Sequence, residues 1–179
     1  MKAFFLLLPL LIINSCKTTT DTNSASQTNT TATEEVQTKV ECPADGICTA
    51  EIQQSKKLII KEDGTGALYP EISSGDNMVV IYTFSQKGPE GTVDGDYSET
   101  IHFEMPANAS EVDKKGNSLQ DIKLLYGKQC YCKGEAGFYK VENGSLQVTK
   151  NRNELHFELQ FAVDKTSHKL SKISKTIEM

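Results

Sequence analysis

The chain has no tryptophan, and aromatic residues make up only 7% of its 179 positions. That scarcity tells against a carbohydrate-binding module, which leans on aromatic faces to hold sugar rings. Positive charge is not in excess either: 19 Lys and Arg stand against 24 Asp and Glu, for a formal net charge of −5. Nucleic-acid binding wants a basic stripe, so that partner class is set aside. Anionic lipid has nothing electrostatic to hold. No apolar run reaches the roughly 20 residues that a bilayer-spanning helix needs. Gly-x-Ser-x-Gly, His-Glu-x-x-His and a phosphate-cradling glycine loop do not occur, so the residues offer no enzyme motif and no cofactor to expect.

What the chain does have begins at its N-terminus. Lys2 precedes an apolar stretch, Ala3 to Ile13, that is broken only by Pro9 and closes on Ile13-Asn14-Ser15-Cys16. A branched aliphatic three residues before a cysteine, with a small residue directly before it, resembles the lipobox of bacterial lipoproteins. The resemblance implies cleavage before Cys16 and lipidation of that cysteine. With diacylglycerol and an amide-linked third chain, each methylene contributes about 0.8 kcal/mol, and anchoring is effectively permanent. Lys17-Thr18-Thr19-Thr20 follows, with Asp21 only later, which resembles an outer-membrane lipoprotein more than one retained at the inner membrane. Residues 1–15 thus read as a signal peptide. Residues 16–40 read as the lipidated cysteine and a tether rich in Thr, Ser, Asn and Gln, too poor in apolar surface to offset its ordering entropy. Residues 41–179 read as one β domain.

Five cysteines less Cys16 leave Cys42, Cys48, Cys130 and Cys132. An even set in an exported chain reads as disulfides. If Cys130 and Cys132 lie on a strand, their Cα atoms stand about 6.6 Å apart, near the upper limit for a bridge. The expectation is therefore two long-range crosslinks that join the Cys42–Cys48 loop to the Cys130–Cys132 segment. Neither spacing suits a structural zinc site, although Cys-x-Cys can bind copper(I) or act in thiol exchange.

Beyond Glu41 the pattern is strand and turn. Lys57 to Glu62 and Ala67 to Ile72 flank Asp63-Gly64-Thr65-Gly66, a hairpin signal. Asn77 to Ser85 is apolar on both faces and predicts a central strand. Tyr97 to Met105 alternates, with Ile101, Phe103 and Met105 inward and His102 and Glu104 outward. Leu119 to Cys132 predicts another strand. Asn143-Gly144 predicts a two-residue hairpin that sets Val141 opposite Leu146 and Tyr139 opposite Val148. A turn near Asn151-Arg152 then sets Val148 opposite Leu155, and Lys169 to Ile177 closes as an edge strand. About eight short strands predict an all-β fold, either an antiparallel β-sandwich or a small up-and-down barrel. The Asp63–Gly66 turn and the up-and-down order resemble lipocalin-like lipoproteins, which implies the barrel.

Two sets of side chains could carry chemistry. His102 with Glu104, and His156 with Glu158, each share the outward face of one strand. On neighbouring strands the four would suit zinc or copper(II). Glu90, Asp94, Asp96 and Glu99 crowd one loop as calcium ligands do. His168 sits in a Lys/Ser-rich stretch that reads as solvent-exposed. The functional expectation is an envelope lipoprotein, not an enzyme, held to the membrane by the lipid on Cys16. Its disulfide-braced β domain serves as a binding or structural module for a protein or small-ligand partner. The alternatives are a calycin-like barrel holding a small apolar ligand, and an envelope metal-binding protein.

Overall fold

The computed structural model describes residues 42–179. Residues 1–41, with the expected lipobox, Cys16 and the expected tether, lie outside the described residues. Among the described residues, nine strands form two antiparallel sheets. The first sheet runs in the order β1 (Ile47–Glu62), β2 (Leu68–Gln86), β3 (Tyr97–Pro106), β5 (Leu125–Gln129), β6 (Gly137–Lys140). The second runs β4 (Glu111–Lys115), β7 (Asn143–Lys150), β8 (Glu154–Ala162), β9 (Lys172–Glu178). The all-β expectation therefore holds, in its sandwich form. The order is not up-and-down, because the chain changes sheet between β3 and β4, between β4 and β5, and between β6 and β7.

Alternation builds the core. Met78, Val80, Tyr82 and Phe84 of β2, with Ile101, Phe103 and Met105 of β3, meet Leu155, Phe157, Leu159 and Phe161 of β8 in one buried cluster. The sheets touch through edge-on rings: Phe157 lies 5.5 Å from Phe103 and 6.2 Å from Tyr82 between centroids. Such pairs add about 0.5–1.5 kcal/mol each beyond the area they bury.

A second, smaller core lies on the opposite face of the first sheet. Leu58, Val79 and Leu125 are fully buried, and Val79 and Leu125 alternate with residues of the main cluster, so they point the other way. The cover is the distal half of the β1–β2 hairpin. Its register slips between Gln54 and Lys57, where Ser55 takes φ 56°, as at a β-bulge. Past the slip the two strands keep pairing, and Leu68 of β2 meets Phe138 of β6. The first sheet thus curls back on itself.

Local turn chemistry is as expected at Asp63–Gly66. One Asp63 carboxylate oxygen accepts the Thr65 N–H (2.8 Å), the Thr65 hydroxyl (2.7 Å) and the Ala67 N–H (3.0 Å). Three other expectations need correction. Asn143-Gly144 is not a hairpin: β6 and β7 belong to different sheets, and Val141, fully buried, is the crossing point. The β7–β8 turn exists, but Val148 pairs with Phe157, two residues beyond Leu155. Its cause is Asn151, whose side-chain oxygen accepts the N–H groups of Asn153 and Glu154 and holds a wider loop. Leu119 to Cys132 is not one strand either. A 3-10 helix, Gly116–Ile122, comes first, and Lys123 in a left-handed conformation separates it from β5.

The cysteines pair locally as Cys42–Cys48 and Cys130–Cys132, which replaces the two long-range crosslinks. The reason is that β5 ends at Gln129. Cys130 and Cys132 lie in the bend beyond it, with Cα atoms 5.2 Å apart, well inside bridging range.

Candidate functional site

Row by row, register defines one end of the first sheet. Ile47 pairs with Ser85, Ser85 with Ser98, and Ser98 with Gln129. Beyond that row lie the 42–46 segment, the 87–96 loop and the 130–136 loop. Both disulfides sit here.

Beneath these loops the inner face of the sandwich ends in a buried polar cluster. Glu99, fully buried, faces inward because it keeps phase with Ile101 and Phe103. Its carboxylate accepts the backbone N–H groups of Lys169 (2.6 Å) and Leu170 (2.8 Å), and the Tyr97 hydroxyl. Lys128, cross-strand from Glu99, donates to Glu135 (2.6 Å) and to the carbonyl and hydroxyl of Ser167 (2.8 and 2.9 Å). The Lys128 ammonium, and then the Ser167 hydroxyl (2.6 Å), donate to the Glu135 carboxylate and pull it down to about 2. Burial, and then the bond to Glu99, push the Tyr97 phenol up. This cluster straps the β8–β9 loop across the end of the sandwich. His168 belongs to the strap: its ring stacks on Phe161 at 5.3 Å, and its Nδ1 lies 2.7 Å from the Leu170 carbonyl. It is half-buried rather than exposed.

The proposed metal residues do not converge. His102 and Glu104 are on β3 of the first sheet, and His156 and Glu158 are on β8 of the second. The outward face of β3 is also covered by the curled hairpin. Burial pushes the His102 imidazole down to about 4, and its Nδ1 has no hydrogen-bond partner. Glu104 accepts the Leu58 N–H (2.5 Å), the Asn77 side-chain amide (2.6 Å) and Lys123 (2.8 Å). Burial raises its carboxyl, but those donors outweigh it and hold the group below its usual range. Lys123 also donates to the Leu58 carbonyl, so Glu104 and Lys123 together pin the edge of β1. His156 instead bonds the Thr176 hydroxyl and lies 3.5 Å from Glu158. The acidic loop does not gather ligands: Glu99 faces the interior, and Asp96 closes its own loop by accepting from Lys87 and Gly88. Among the described residues no group of three or more His, Cys, Asp or Glu side chains could hold a metal ion.

The chain matches no family model, no curated protein and no solved structure.

A surface cleft of about 550 Å³ lies where the hairpin tip at Gly66–Leu68 meets β6 and the end of β8. Its ionic groups are Lys140, Glu142, Asp164 and Lys165, a mixed set with no convergent acid–base pair. A shallower recess of about 320 Å³ runs between Val93, Asp94 and Asp96 on one loop and Gln129, Cys130 and Tyr131 on the other. Sequence reasoning missed both Val93 and Tyr131, which alternation cannot flag because they lie in loops. Their exposure, 96% and 93%, is the signal.

Proposed function

We propose that the protein is a lipid-anchored envelope lipoprotein whose β-sandwich acts as a binding or structural module at a membrane surface, with the outer membrane as the favoured location. The observation that carries this reading is Ile13-Asn14-Ser15-Cys16 behind Lys2 and an apolar run. Cysteine arithmetic supports it. Of five cysteines, four pair among themselves in the sandwich, which leaves no cysteine of the chain for Cys16 to bond.

Surface recognition is favoured over an interior ligand. Phe84, Phe103, Tyr126 and Phe157 are fully buried between the sheets, where an apolar ligand of a calycin-like barrel would have to sit. The test is metabolic labelling with a fatty acid, followed by mass analysis of the N-terminal peptide. The expected mature chain starts at Cys16 and carries the lipid, and Cys16→Ser loses both the label and the membrane fraction. An unmodified N-terminus beyond position 16 would overturn the reading.

A further inference from the structure

Five large hydrophobic side chains stand out from the surface of the described residues: Ile47, Tyr69, Val93, Tyr131 and Met179. The three most exposed, Ile47 at 69%, Val93 at 96% and Tyr131 at 93%, all belong to the loop-bearing end defined by the Ile47–Ser85–Ser98–Gln129 row. We infer that this end, tipped by Ile47, Val93 and Tyr131, is a membrane-contacting surface that enters the lipid interface to which Cys16 is anchored. The inference rests on the lipoprotein reading and adds an orientation to it.

Position is the first argument. The chain joins this same end at Cys42, and residues 17–41 connect it to Cys16. That connection enters the sandwich at this end, so this is the end through which the lipid anchor acts. Rigidity is the second. Cys42–Cys48 braces the segment before Ile47, and Cys130–Cys132 brackets Tyr131. The Val93 loop is closed by the Thr92 hydroxyl, which donates to the Pro89 carbonyl (2.6 Å), and by the Gly88 N–H, which donates to the Asp96 carboxylate (3.0 Å). Fixed tips lose little conformational freedom on insertion.

Charge and size set the character of the contact. Lys87 is paired with Asp96, and Lys169 with Asp45, while Glu90 and Asp94 flank Val93. There is no basic excess, so the contact is apolar and insensitive to salt. Tyrosine suits the headgroup level, with an apolar ring and a hydroxyl that stays wet. Two aliphatic tips and one tyrosine make a weak contact alone. Attachment through Cys16 turns it into an intramolecular event at millimolar effective concentration.

The missing tryptophan makes the test clean. Val93→Trp and Tyr131→Trp each create a single fluorophore at a position whose exposure makes the substitution harmless to folding. Arg152→Trp is the control at the opposite end, where Lys150 reaches the Ala107 carbonyl beyond the far end of β3. The full lipidated protein is placed in phosphatidylcholine–phosphatidylethanolamine vesicles with brominated acyl chains. The expected result is blue-shifted emission and strong quenching at positions 93 and 131, unchanged by added salt, and neither effect at 152. A lipidated protein whose Val93→Trp and Tyr131→Trp signals match Arg152→Trp overturns the inference and leaves the lipoprotein reading standing. A chain without lipid on Cys16 overturns both. A blue shift that persists in detergent and grows with protein concentration assigns the surface to a second copy, and shielding seen only in native cells assigns it to a partner protein. Either of those overturns the inference.

Discussion

His102 is a buried imidazole with an unpartnered Nδ1, set edge-on to the Phe138 ring at 6.2 Å. Its sequence neighbours announce an outward-facing strand position, and that part was legible, since Ile101 and Phe103 do face the core. The burial was not legible, because the cover comes from the bend at Ser55 in the β1–β2 hairpin, far earlier in the chain. With the imidazole pushed down to about 4 and an unfolded value near 6.5, the unfolded chain binds the proton more readily. Stability is therefore fully present above about pH 6.5 and is lost as pH falls toward 4, by about 3 kcal/mol in all. Urea unfolding across that range should show the loss, and His102→Leu should flatten it without weakening the protein at pH 7. The comparison is read above about pH 4.5, because Glu104 and Glu135, both held low, begin their own losses below it. An unchanged slope in His102→Leu would count against the buried neutral ring.

At the scale of elements, two turn signals of similar strength behave differently. Asp63–Gly66 closes a hairpin because its hydrogen bonds lie within five residues, so local sequence decides it. Asn143-Gly144 has the residues for a tight turn, yet the chain there crosses between sheets. Non-local bonds win: Val141 donates to the Leu124 carbonyl, and the Gln120 side chain donates to the carbonyls of both Leu124 and Val141. Gly144 is needed for a reason unrelated to turning. Its φ is +147°, and a Cβ there would strike the Gln160 carbonyl and come within 2.8 Å of the Phe161 Cα on β8. Both obstacles are backbone, so neither can swing aside. Gly144→Ala should cost about 2–3 kcal/mol. Gly64→Ala, with nothing within 4 Å, should stay within about 0.5 kcal/mol. Thermal and urea unfolding of the two variants give the comparison, and equal stabilities would remove the close-approach argument.

For the whole molecule, strand content and the inward residues could be read from alternation, whereas sheet membership could not. Period two fixes which side chains share a face but not which sheet a strand joins, so the His102–Glu104 and His156–Glu158 pairs looked like possible neighbours and lie on different sheets. The cysteines show the same limit: their number pointed to two bridges, while their partners depended on where β5 ends. That outcome changes the energetics. Long-range crosslinks would close loops of 80–90 residues and contribute about 4–5 kcal/mol for the first bond. The observed bridges span six and two residues, and in the chain-entropy description they contribute about 2.2 and about 1.2 kcal/mol. Neither bond joins the sheets. That task falls to Phe103, Phe157 and Tyr82 in the core and to the Glu99 and Lys128 strap. Reduction, or replacement of all four cysteines of the domain by serine, should thus lower the unfolding free energy by about 3.4 kcal/mol and leave the β-sheet circular dichroism in place below the lowered midpoint. Loss of sheet signal on reduction at 25 °C would mean that the bridges, not the packed rings, hold the sandwich together.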